Sequence, residues 1–156
     1  MTKLMEIATQ RVIRYLSKEG QRLVELASAT KDTHIQTGNQ EESYGWAVWH
    51  NGKRVRTNYL HPFPIADTPA RYKGREIWGG TELKRAFKML DSMVSPKGFA
   101  LAILNAVPYT RVLEEGLWVT EKSKHQRRKY RVISQVFTDL RAVGTPFKGA
   151  NVREIV

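Results

Sequence analysis

Apolar residues recur at spacings of three and four over residues 3–29, at Leu4, Ala8, Val12, Tyr15, Leu16, Leu23, Leu26 and Ala27. That period predicts an amphipathic helix with this stripe turned to the core. Arg11, Arg14, Lys18 and Arg22 fall between the apolar positions. Gly20 interrupts the run and is expected to mark a kink or a break into two helices. Residues 33–40 are polar, with Gly38-Asn39 as a turn signal.

The pattern then switches to period two. Over residues 43–50, Tyr44, Trp46, Val48 and His50 share one face of a strand, and Gly45, Ala47 and Trp49 share the other. Asn51-Gly52 follows, a pair that accepts the positive φ values of a type I′ turn, so a two-residue hairpin is expected. Lys53 to Tyr59 is the return strand, alternating Val55, Thr57 and Tyr59 against Arg54, Arg56 and Asn58.

Residues 60–78 show no period and contain Pro62, Pro64 and Pro69. A connection this long inside a compact domain is uncommon and is usually functional or disordered. Gly79-Gly80 closes it, and Thr81 is the expected N-cap of a helix over 82–95 with Leu83, Phe87, Leu90 and Val94 on one face. Ser95-Pro96-Lys97-Gly98 ends that helix. Phe99 to Val107 reads as a buried strand stopped by Pro108, and Leu117 to Thr120 as a short strand. From Ser123, Tyr130, Ile133, Val136, Phe137 and Leu140 form a helical stripe that Gly144 terminates. Residues 1–144 are therefore expected to form one α+β domain. Its long N-terminal helix and two further helices pack on one side of a small, mostly antiparallel sheet. A basic loop, 53–78, protrudes, and 145–156 is a docking arm.

Composition narrows the function classes. The 156 residues include no cysteine, which removes disulfides, thiolate metal sites and a cysteine nucleophile. No run reaches the roughly 18 apolar residues of a membrane span, and the charged stretch from Met1 to Gly20 is not expected to be a secretory signal. The unusual quantity is a net charge of +11 with a pI near 10.1, which points to an anionic partner. The excess is concentrated in two stretches. One carries Lys53, Arg54, Arg56, Arg71, Lys73 and Arg75, and the other carries Lys122, Lys124, Arg127, Arg128, Lys129 and Arg131. Aromatic Tyr72 and Trp78 lie near the first, a mixture that suits phosphate contact and base stacking.

No catalytic constellation emerges. His34, His50, His61 and His125 stand at no metal-ligand spacing, and the adjacent Glu114-Glu115 do not share a side of a regular element. Asp67 with Glu82-Leu83-Lys84 matches the loose skeleton of a magnesium nuclease. That chemistry needs the glutamate and lysine on a strand, whereas here they open a helix. No phosphate-binding glycine loop is present, so no enzyme activity, cofactor or metal is expected.

One combination points further. Thr37-Gly38-Asn39 precedes a strand beginning Ser43-Tyr44-Gly45-Trp46, and a later apolar strand runs into Pro108-Tyr109-Thr110-Arg111-Val112-Leu113-Glu114-Glu115-Gly116. This resembles the tail-completion and head–tail connector (neck) proteins of tailed bacteriophages, over roughly residues 20–116. Their first motif, T-G-x-L-x-x-S, is matched by Thr37, Gly38 and Ser43. Their second, ending Y-A-x-x-V-E-x-G, is answered by Tyr109 and Gly116 at its spacing and by Val112 and Glu115 each one position away from it. Asn39-Gln40 stands where an apolar residue often follows, Thr110 replaces a small residue, and neither 60–78 nor the tail after 144 belongs to the pattern.

The resemblance implies a structural protein of the virion, made in the host cytoplasm. It implies a homo-oligomeric ring at the neck or tail top, touching portal or head-completion (adaptor) proteins on one side and tail proteins on the other. Arg54, Arg56, Arg71, Lys73, Arg75, Phe147, Val152 and Ile155 would then meet neighbouring subunits or rings. The basic residues of 122–131 would meet an acidic partner or packaged DNA. The alternatives are a nucleic-acid-binding protein acting outside a virion and, last, a magnesium-dependent nuclease resting on Asp67, Glu82 and Lys84.

Overall fold

Residues 2–28, 39–60, 66 and 68–108 are described by a computed structural model. The first element, α1 (Lys3–Ser28), is one continuous helix. Thr2 caps it, its Oγ1 accepting the Met5 N–H at 3.3 Å and its carbonyl the Glu6 N–H at 3.1 Å. The buried stripe is Ile13, Leu16, Gly20, Leu23, Val24 and Ala27. Leu4, Tyr15 and Leu26, expected in the core, are instead exposed at 77%, 39% and 46%.

Gly20 explains the choice of stripe, and the helix runs through it unbroken. A Cβ there would stand 2.9 Å from Cγ and Cδ2 of Trp46 and 3.0 Å from Cδ1 of Leu101. The helix lies on the sheet along the line where its smallest residue permits the closest approach.

A short helix, α2 (Asn39–Glu42), leads into β1 (Tyr44–His50) and β2 (Lys53–Tyr59). Asn51 and Gly52 take φ values of 50° and 78°, as the type I′ turn requires. Asn51 also ties this turn to the loop before the last strand. Its N–H donates to the Gly98 carbonyl at 2.8 Å, and its Oδ1 accepts the Gly98 N–H at 2.9 Å.

The return strand does not keep simple alternation. Val48 pairs with Arg56 but Trp49 pairs with Arg54, so Val55 is the extra residue of a β-bulge. The bulge shifts the phase: Val55 packs with the cluster under α1, while Tyr59 packs on the opposite side of the sheet.

A second hairpin, β3 (Ala70–Tyr72) and β4 (Arg75–Ile77), precedes α3 (Gly79–Asp91). β5 (Phe99–Asn105) then pairs antiparallel with β1, giving the order β2-β1-β5. As an outer strand among the described residues, β5 is half-buried along most of its length rather than buried.

β1 is the centre of the domain. Tyr44, Trp46 and Val48 pack under α1 with Leu16, Leu23, Val24 and Ala27. Ala47 and Trp49 pack on the other face with Leu83, Phe87 and Leu90 of α3. The two helices therefore cover opposite faces of the sheet, not one side as the sequence suggests. A strand apolar on both faces needs cover on both. Each tryptophan is pinned to its own helix. Trp46 Nε1 donates to Gln21 Oε1 at 2.9 Å, and Trp49 Nε1 donates to Asp91 Oδ1 at 2.9 Å. Both acceptors also hold β2, through Asn58 Nδ2 at 3.1 Å and Arg54 Nε at 3.3 Å respectively.

Candidate interaction surface

Of the residues carrying the phage-protein resemblance, Ser43 lies within the described residues. It is fully buried at the head of β1. Its Oγ donates to Asn105 Oδ1 at the end of β5, at 2.6 Å, and its carbonyl accepts the Ala106 N–H at 3.2 Å. The serine thus fastens the start of the central strand to the end of the last one. Thr37, Gly38, Tyr109, Val112, Glu115 and Gly116 lie outside the described residues, as do Asp67, Phe147, Val152, Ile155 and all of 122–131. The strand expected over 117–120, the third helix and the docking arm also lie outside them.

Beside Ser43, two buried polar residues organise the junction between α2 and α3. Asn39 Nδ2 donates to the Thr68 carbonyl at 2.8 Å, and its Oδ1 accepts the Gly79 N–H at 3.0 Å. Glu42 Oε1 accepts the Ala66 N–H at 2.7 Å. A Cβ on Gly79 would overlap the Asn39 carbonyl, so only glycine lets the two helices meet here.

α3 consequently starts at Gly79 and ends at Asp91, three residues earlier than an N-cap at Thr81 would set it and short of residue 95. The N-cap position is Trp78, in extended backbone with no side-chain cap bond. Asn39, forty positions away in sequence, supplies the acceptor that Thr81 was expected to provide. No local pattern announces this. The available signal was Gly79-Gly80, two small residues just before an apolar helical face, which reads equally well as the end of a loop.

Within the basic loop expected over 53–78, the described residues include strand β2 and the β3–β4 hairpin. Arg54 and Arg56 sit on β2, inside the three-stranded sheet. Arg54 is held by Asp91 and lies 5.5 Å over the Phe87 ring, so it serves the core wall. Arg56 is exposed at a cleft shared with Glu6, Thr9, Gln10, Ile13, His50 and Val55.

Arg71, Lys73 and Arg75 belong to the β3–β4 hairpin. It turns at Lys73-Gly74, with φ values of 49° and 74°. Its base is anchored by Ile77, which is fully buried. Three-residue strands are too short for a period to show in the sequence. The hairpin's cations are brought close to α3. Arg75 Nη2 lies 3.1 Å from Glu82 Oε1, and Arg85 Nη1 reaches the same oxygen at 3.2 Å. Arg71 pairs across the hairpin with Glu76 at 3.7 Å, and Lys73 Nζ lies 5.4 Å from the centroid of the Tyr72 ring.

Of the nuclease skeleton, the described residues Glu82 and Lys84 are not brought together by α3. Glu82 is on a helix, its side chain 13% exposed and engaged by two arginines. Lys84, two residues on, points about 200° around the helix from it. Among the described residues no group of three or more His, Asp and Glu side chains could hold a metal ion, and no helix is long and apolar enough to cross a membrane. No family model, curated protein or solved structure matches the chain.

Proposed function

We propose that this chain is a structural component of tailed-phage virions, assembling as a ring at the neck or top of the tail. There it joins portal or head-completion proteins to tail proteins around the DNA channel. The observation that carries the reading is the Ser43–Asn105 bond of 2.6 Å. The first stretch of the resemblance ends at Ser43, and the second begins at Pro108, three residues beyond Asn105. Ser43, which closes the first motif, and Asn105, which stands shortly before the second, therefore meet at one end of the sheet, and that meeting supports the reading. The outer strands β2 and β5 support the reading as well, since neither has a second neighbour among the described residues. An unpaired edge is a surface on which a neighbouring chain can dock, and head-to-tail contacts whose rotation closes make rings.

The full-length chain, purified and measured by light scattering and negative-stain microscopy, should form rings of defined mass. A tag on it should label the head–tail junction of virions. A chain monomeric at every concentration tested, and absent from virions, refutes the proposal.

A further inference from the structure

The outward side of α3 is as basic as the hairpin beside it. Thr81, Arg85, Lys88 and Ser92 follow one another at spacings of four, three and four, and all are exposed. Leu83, Phe87 and Leu90 hold the opposite side against the sheet. Glu82 links this stripe to the hairpin, because its carboxylate receives Arg75 from one and Arg85 from the other. One acid between two arginines orients both and leaves the group cationic. Arg71, whose side chain is 82% exposed, and Lys73 extend the ridge to the hairpin tip.

We infer that the β3–β4 hairpin and the outward stripe of α3 form one continuous cationic ridge that binds the phosphate backbone of duplex DNA without sequence preference. Charge complementarity selects a polyanion. The distribution of groups selects nucleic acid over an acidic protein. A protein interface desolvates an apolar, usually aromatic centre and excludes charge from it. This ridge is built of arginines and lysines, and its exposed large apolar residues, Trp78 just before α3 and Met89 and Met93 at the far end of that helix, stand at opposite ends and form no common apolar centre. Cations that stay hydrated bind phosphates by releasing condensed counterions, with no buried core required. Thr81 adds a hydroxyl group of the kind that contacts phosphate oxygens. The ridge is a property of the single protomer and does not depend on the ring.

The test titrates the full-length chain against a labelled random-sequence duplex at rising salt. It compares the parent with a ridge variant, Lys73→Gln/Arg85→Gln/Lys88→Gln. An α1 variant of equal charge change, Arg11→Gln/Arg14→Gln/Lys18→Gln, is the control, all three of its positions being exposed. The ridge variant should flatten the log–log salt slope by about 2–3, near 0.9 per lost phosphate contact. It should weaken binding at low salt at least about tenfold, while the control stays close to the parent. Equal losses in both variants reduce the effect to net charge and overturn the inference, as does no loss in either. Polyglutamate that displaces the duplex and loses affinity in the same variant identifies an acidic protein surface instead, which also overturns it. Light scattering on the same samples reports assembly separately, so a failed ring and a failed ridge give different results.

Discussion

Replacing Gly20 with alanine separates two accounts of the same residue by sign. If glycine merely loosened α1, alanine would strengthen the helix by about 1 kcal/mol, the ordinary difference between the two residues in a helix interior. The structure gives the opposite expectation. The new Cβ would meet Trp46 at 2.9 Å and Leu101 at 3.0 Å. Trp46 is 6% exposed, and its indole N–H is fastened to Gln21, the residue next to Gly20, at 2.9 Å. The ring cannot swing aside without breaking that bond, so the helix has to lift from the sheet. Overpacking of this kind costs about 1–3 kcal/mol, which leaves a net loss near 1 kcal/mol after the helical gain. With a urea dependence of about 2 kcal/mol per molar, the unfolding midpoint should fall by roughly 0.5 M. Gly20→Val, bulkier at the same point, should fall further. A midpoint for Gly20→Ala equal to or above that of the parent would show that α1 does not lie on Trp46 as described.

Two further substitutions test the junctions that position the hairpin. Asn39→Ala removes the partners of the Thr68 carbonyl and the Gly79 N–H in a fully buried site. Stranded buried polar groups should cost about 2–4 kcal/mol in denaturant unfolding, and a loss below about 1 kcal/mol would contradict the tertiary cap on α3. Ile77→Ala should cost about 2–5 kcal/mol and speed tryptic cleavage at Arg71, Lys73 and Arg75, because it withdraws the hairpin's anchor. Arg71→Ala should change stability by less than about 0.5 kcal/mol, since its ion pair with Glu76 is exposed.

Elements written in nearest-neighbour chemistry were legible before any coordinates. The β1–β2 hairpin follows from alternation around Asn51-Gly52, and its observed strands, Tyr44–His50 and Lys53–Tyr59, match the expected ones to within a residue. The two described long helices and the last strand also follow from period and punctuation. The candidate surface was less legible. Arg71, Lys73 and Arg75 stood out as charge, but their strands are three residues each, below the length at which a period can be read. Arg85 and Lys88 carry no distinguishing signal in the sequence, because charged residues opposite an apolar face are ordinary for any amphipathic helix. Asn39 reads in the sequence as part of a turn signal, and its burial, like that of Glu42, is visible only once α2 meets α3.

The amino-acid sequence alone therefore determined the α+β class, the central hairpin and the cationic character, because propensity, turn chemistry and net charge act between residues close along the chain or simply add. Tertiary structure decided which stripe of α1 is buried, that α1 and α3 take opposite faces of β1, where the bulge at Val55 falls and where α3 begins. Those outcomes depend on contacts such as Gly20 with Trp46 and Asn39 with Gly79. Such partners are distant in sequence, and each fits only when both helices have already settled on the sheet.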